Sequence, residues 1–328
     1  MKLGLALEGG GGKGAYQIGV WKALREYGID QKITVVAGTS VGALNAALFV
    51  YGGYERAEAM WQSVSPQDVF SLGRGSLDDV LSFYRNSCFS RDGVKRLLRA
   101  LDFARPAAGI SCYATCLQVT DPGPLEQLLD AFGKALGEKL YAGSRVGKLV
   151  GKVTQRYPVE YFRLNDYPAR VQQDILLASS ALPFVFPQEK INGHYYIDGG
   201  FGDNLPLQPL YDEGCDVIIA VQCNRDSIKD LRRFPGAMLW PIIPQDSQGG
   251  LAGTIDFSRE GIKRRMEQGY KDTCTMLVQM KPMWDAQQME RAVICGMQQD
   301  EAAFSRQHAA NAAQKEANAR RIEASLRL

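Results

Sequence analysis

The stretch that most constrains this chain is Val35-Val36-Ala37-Gly38-Thr39-Ser40-Val41-Gly42-Ala43-Leu44-Asn45. It reads as a short apolar strand, a tight turn with a glycine on either side of a serine, and a helix rich in small residues. A strand that turns this sharply into a helix lifts the serine hydroxyl above the end of the sheet, the geometry of a nucleophile elbow. Gly38 and Gly42 are needed there because side chains at both positions would collide across the turn. The amide of Val41, at the start of the helix, points at any anion forming on Ser40. A chain of 328 residues with 34 glycines can hold the five-residue pattern by chance. A glycine-lined loop with a capping serine would carry the same letters. The strand before and the helix after favour the elbow.

The N-terminal stretch has the same grammar. Lys2 to Leu7 reads as a buried strand, Glu8-Gly9-Gly10-Gly11-Gly12-Lys13-Gly14 as a turn, and Ala15 to Leu24 as a helix with Ile18, Trp21 and Leu24 on one face. The glycine run therefore joins a strand to a helix N-terminus, with its backbone amides unshielded. Three uses compete. Gly9, Gly11 and Gly14 fit a dinucleotide fingerprint with Asp30 as the ribose acid, but Gly10 and Gly12 are surplus to it and Asp30 does not end a second strand. A Walker loop fails because Gly14, not Ser or Thr, follows Lys13. An oxyanion hole is the third, and the Ser40 elbow in the next unit favours it: two consecutive strand–helix units of a parallel sheet put both turns at one carboxyl edge.

Further along, Glu55 to Gln62, Leu77 to Arg85 and Asp92 to Leu101 read as helices. Ser111 to Val119 and Val159 to Leu164 read as neighbouring strands, with Cys112 and Cys116 as core residues of the first. Thr120 to Pro158 is inserted between them. Its part from Asp130 to Arg156 holds six Lys or Arg against two acids, with apolar residues at helical spacing. Such a segment suits an anionic membrane surface, or a solvated cationic cap over a cleft; the cap is the preferred reading. Asp174 to Ser180 is helical. Gly193 to Phe201 reads as a strand ending in Asp198-Gly199-Gly200, which leaves a carboxylate at a loop tip. Asp216 to Gln222 is another buried strand, Arg225 to Gly253 is loop-rich with Pro235, Pro241 and Pro244, and Ile255 to Gln279 and Trp284 to Leu328 are helical.

A net charge of +2 argues against a nucleic-acid binder. Seven cysteines without metal-like clustering suit free thiols in a reducing compartment, and no metal site is expected. No signal peptide and no membrane-spanning run is predicted, so a cytoplasmic protein is expected, with peripheral membrane contact through 130–156 as an option.

Glu8 to Gly14, Gly38 to Gly42 and Asp198 to Gly200, in this order and spacing, resemble the patatin-like phospholipase family. Ala178 to Pro187, Asp198 to Pro206 and the helix from Gly261 to Thr273 support the resemblance, which covers roughly residues 1–280. It implies a three-layer α/β/α fold with a mainly parallel central sheet; the helical cap insertion at 120–158, which is not part of the family's common pattern, and the C-terminal helical extension at 281–328 are read from the residues themselves. It also implies a lipid acyl hydrolase with a Ser–Asp dyad: Ser40 as nucleophile, Asp198 as base, and Gly10, Gly11 and Gly12 in the oxyanion loop, beside the Val41 amide. The substrate would be a phospholipid, lysophospholipid or other acyl ester, and no cofactor is required. Chemistry agrees with the dyad, since a serine hydroxyl needs a base within hydrogen-bond reach. Of the two histidines, His194 lies on the strand four residues before Asp198, and His308 sits among Gln307, Ala309 and Asn311 on a polar helix. The alternatives are a membrane-associating protein with a silent or weak esterase core and, further off, a dinucleotide-binding enzyme.

Overall fold

In the computed structural model of the chain, β1 (Leu3–Leu7) and β2 (Ile33–Thr39) lie parallel, with Leu7 opposite Gly38. The structure describes residues 1–64, 92–104, 109–123, 152–183, 186–225, 227, 233–280, 301 and 306. Two compact units divide the chain, Met1–Cys274 and Thr275–Leu328, and all eight described strands belong to the first. Every residue of β1 is buried, as befits a near-continuous apolar strand in a sheet covered on both faces. A 3-10 turn over Gly11–Gly14 leads from β1 into α1 (Ala15–Glu26), and β2 passes directly into α2 (Val41–Tyr51). The two glycine turns therefore stand side by side at the carboxyl ends of adjacent parallel strands.

Around this pair, β3 (Ser111–Val119) joins β2 in parallel, and β7 (Val217–Val221) and β8 (Met238–Ile242) extend the parallel sheet beyond β1. β3 is the strand on which the site depends. Its first half, Ser111 to Thr115, pairs with β2, and its second, Cys116 to Val119, pairs antiparallel with β6 (His194–Asp198). β4 (Val159–Arg163) pairs antiparallel with Tyr113 to Leu117 and so overlaps both stretches. A strand has only two hydrogen-bonding edges, so β4 takes one and β2 and β6 share the other end to end. β5 (Glu189–Ile191) and β6 form a hairpin around Asn192 and Gly193, both at positive φ, as a two-residue hairpin turn requires.

Further helices among the described residues are α3 (Tyr54–Ser63), α4 (Asp92–Arg99), α5 (Ala169–Ser179), α6 (Gln208–Asp212), α7 (Gly250–Ile255) and α8 over 259–280. Successive strand residues face opposite ways, and the core divides accordingly. Leu5 and Leu7 meet Ile18, Trp21 and Leu24 of α1 and Phe49 of α2. Ala6, Val35, Ala37, Ile218 and Ala220 cluster instead with Leu205, Leu207 and Leu210, at α6. This is a three-layer α/β/α arrangement around a mostly parallel sheet. Cys112 and Cys116 are buried free thiols in β3.

Some boundaries differ from the sequence reading. The loop-rich stretch 225–253 contains β8, whose Pro241 is tolerated because the strand pairs only with β7 among the described residues. The helix read as Asp174 to Ser180 begins at Ala169, just after Pro168, a residue suited to a helix start. The helix at 77–85, most of the basic segment 130–156 and nearly all of 284–328 lie outside the described residues. Among the described residues no helix is long and apolar enough to cross a membrane.

Candidate active site

Ser40 is one of two non-glycine residues at positive φ among the described residues, with φ 56° and ψ −126°. A side chain is held in that sparsely populated region only when its surroundings enforce it. Here the enforcement is close backbone contact: a Cβ on Gly38 would overlap the carbonyl of Gly42, and one on Gly42 would overlap the carbonyl of Leu7. The Ser40 amide donates to Ser179 Oγ at 3.0 Å, and that hydroxyl donates to the Thr115 carbonyl at 2.7 Å. Ser179, at the end of α5, thereby ties the turn to β3. Thr39 Oγ1 donates to the Asp203 carbonyl at 2.9 Å, tying the turn to the loop after β6.

Asp198 reaches the same place by another route. Thr39, the last residue of β2, pairs with Thr115, and Asp198, the last of β6, pairs with the next residue, Cys116. The two strands run toward each other along one edge of β3 and stop there, so Ser40 and Asp198 face the same gap. Asp198 is 2% exposed. Its amide donates to the Ala181 carbonyl at 3.0 Å, and its Oδ1 accepts from the Gly200 amide at 2.8 Å at the start of the 3-10 turn Gly199–Phe201.

Both residues line one cavity of about 650 Å³. Gly10, Gly11 and Val41 line it as well, whereas Gly12 is buried behind them. A Cβ on Gly11 would overlap the Thr254 carbonyl and one on Gly12 the Asp256 carbonyl, so the end of α7 supports the loop from beneath. Asp256 is itself held by the buried guanidinium of Arg265, at 2.9 Å. Lys13 also lines the cavity and donates to Asn224 Oδ1 at 2.9 Å; burial lowers its ammonium pKa, with Cys223 and Glu8 pulling the other way. The rest of the wall is mainly apolar, with Leu44, Met60, Trp61, Leu97, Phe186 and Phe257. His194 is exposed at the far end of β6, and His308 lies outside the described residues.

Ser179 and Asn204 are site residues that the sequence reading missed. Asn204 lines the cavity and binds the glycine loop twice: its carbonyl accepts from the Gly9 amide at 3.0 Å and its Nδ2 donates to the Gly9 carbonyl at 3.2 Å. Its place six residues after Asp198 was a usable signal. For Ser179, at a helix end, there was none.

The profile of the family described as patatin-like phospholipase matches residues 5–211, more than half of the chain. An uncharacterized NTE family protein of Mycobacterium tuberculosis is 28% identical over 223 residues, which are 68% of this chain and 49% of that protein. Lysophospholipase NTE1 of Cryptococcus neoformans is 24% identical over 220 residues, 67% of this chain and 11% of that protein. The chain thus spans about half the length of its mycobacterial relatives and about a tenth of the fungal one. Among solved structures, VipD from Legionella pneumophila gives a TM-score of 0.43 at 15% identity over 85% of this chain and 66% of that one. Through the profile match across the span of the first six strands, up to α6, the chain belongs to the patatin-like phospholipase family.

Proposed function

We propose that this protein hydrolyses carboxylic esters of lipids of the phospholipid or lysophospholipid class, with Ser40 as nucleophile and Asp198 as its base. The observation that carries the proposal is the shared edge of β3, which brings the ends of β2 and β6 to one cavity wall. In the first step Asp198 takes the hydroxyl proton as Ser40 Oγ attacks the ester carbonyl. The amides of Gly10, Gly11 and Val41 stabilise the resulting oxyanion, and loss of one such donor typically costs about 10²–10³ in rate. Gly12, behind the lining, shapes the loop. Collapse of the tetrahedral species expels the alcohol, which leaves with the proton from Asp198. Water, activated by the same carboxylate, then cleaves the acyl-enzyme and restores Ser40.

The apolar wall suits an acyl chain, and the name of the fungal relative favours a lysophospholipid. We place the hydrolase domain at 1–280, with 120–158 as an inserted basic cap and peripheral contact to the lipid surface through 130–156 as the alternative use of that segment. Turnover of lysophosphatidylcholine and of a soluble p-nitrophenyl ester tests the proposal. Hydrolysis of both that disappears in Ser40→Ala is expected; full activity in that variant would rule the mechanism out.

A further inference from the structure

Glu8 follows β1 directly, at the foot of the glycine loop, and is 2% exposed, yet it does not line the cavity. Five donors converge on its carboxylate. Oε2 accepts from the amides of Cys223 and Asn224, the latter at 3.1 Å. Oε1 accepts from Asn204 Nδ2 at 2.9 Å, Asn224 Nδ2 at 3.1 Å and Ser227 Oγ at 2.7 Å. A buried carboxylate is costly to place unless it is fully hydrogen-bonded, and this one has donors on both oxygens. The partners come from separate places: the segment after β7, and Asn204 from the loop after β6. Asn204 stands between the two catalytic turns. It is bonded to Gly9 on one side, and on the other its Oδ1 lies 2.8 Å from the point a Cβ on Gly200 would occupy. The Gly200 amide in turn holds Asp198 Oδ1.

We propose that Glu8 is a positioning residue for ester hydrolysis, fixing the oxyanion loop and the Asp198 turn relative to each other through Asn204. The inference rests on the Ser40–Asp198 reading above. Donor-only surroundings need an acceptor at both oxygens, so Glu8→Gln sets an NH₂ against donors at one of them. Glu8→Asp keeps two acceptor oxygens on a shorter reach and is the conservative comparison.

The experiment titrates reactive serine with a fluorophosphonate, then measures kcat per titrated site and KM on p-nitrophenyl butyrate. For Glu8→Gln, kcat per site falls about 10²-fold with KM within about 3-fold, because misplacement of the catalytic groups by about 1 Å is enough for such a loss. Glu8→Asp recovers part of the rate. A merely structural role gives fewer titratable sites, each with wild-type kcat, and overturns the inference. Should Glu8→Gln not yield folded protein, Asn204→Ala is measured in the same way; wild-type kcat per site there overturns it equally. Wild-type protein without Ser40 labelling, or active Ser40→Ala, removes the dyad and this inference together. Normal labelling and turnover in Glu8→Gln removes this inference alone.

Discussion

The two turns that meet at the cavity are held by different means. The Ser40 turn is a local construction: Gly38 and Gly42 lie four residues apart, and their backbones press together around a serine at φ 56°. The Asp198 turn is a remote one. Its carboxylate reaches the site because β6 takes up the edge of β3 where β2 leaves it, and because Ala181 and Gly200 fix its backbone and side chain. The contrast teaches that one half of this site is specified by sterics within a few residues, and the other by strand register across much of the chain. Damage to the glycine packing of the first should cost stability along with chemistry, whereas damage to the second should reach chemistry through position.

The largest expected effect is on Ser40 itself. Ser40→Ala lowers kcat on the soluble ester by about 10⁴-fold or more, the scale on which loss of a serine nucleophile is felt, while the melting temperature changes little. Next is the remote half: Asp198→Asn keeps the shape but removes the proposed base, and a loss of about 10³–10⁴-fold in kcat is expected. The local half is tested by a pair of glycines. Gly42→Ala drives a methyl into the Leu7 carbonyl and should destabilise by about 3 kcal/mol or more, whereas Gly28→Ala, at φ 65° in open space, should lose only about 1 kcal/mol. Denaturant titration of both variants distinguishes backbone crowding from conformational preference. Smaller still is Ser179→Ala, which strips the Ser40 amide of its acceptor and should cost about 1–2 kcal/mol in the same assay.

The smallest effect concerns Asp203, whose carbonyl and side chain bind Thr39 and Tyr161. Burial raises its pKa above the ordinary value, opposed by the Tyr161 hydrogen bond. A carboxyl with a raised folded pKa holds its proton more tightly in the folded state. Its contribution is present below the unfolded pKa and is lost as pH rises through the folded one. Asp203→Asn should therefore gain stability relative to the parent as pH is raised from about 4 to about 7. A difference independent of pH would contradict this.

Legibility in the sequence followed the same divide. Val35 to Asn45 and Glu8 to Gly14 could be read directly because glycine spacing and apolar strands are local signals, and both turns lie where two parallel strand–helix units put them. Asp198 was legible as a residue, but the path by which it reaches Ser40 was not: nothing in Ser111 to Val119 announces that three strands will pair with it. β8 was hidden by Pro241, whose meaning depends on whether the strand is an edge. Glu8, Asn204, Asn224 and Ser227 form their network across some 220 positions, and no periodicity links them.

The central claim is that Asp198 activates Ser40 across the junction of β2 and β6. It is tested most directly by the rate of fluorophosphonate labelling, with the modified peptide identified by mass spectrometry, in the parent protein and in Asp198→Asn of equal melting temperature. The account predicts a label on Ser40 that forms about 10³-fold more slowly in the variant. A label on another residue, or an unchanged rate at Ser40 without Asp198, would contradict it.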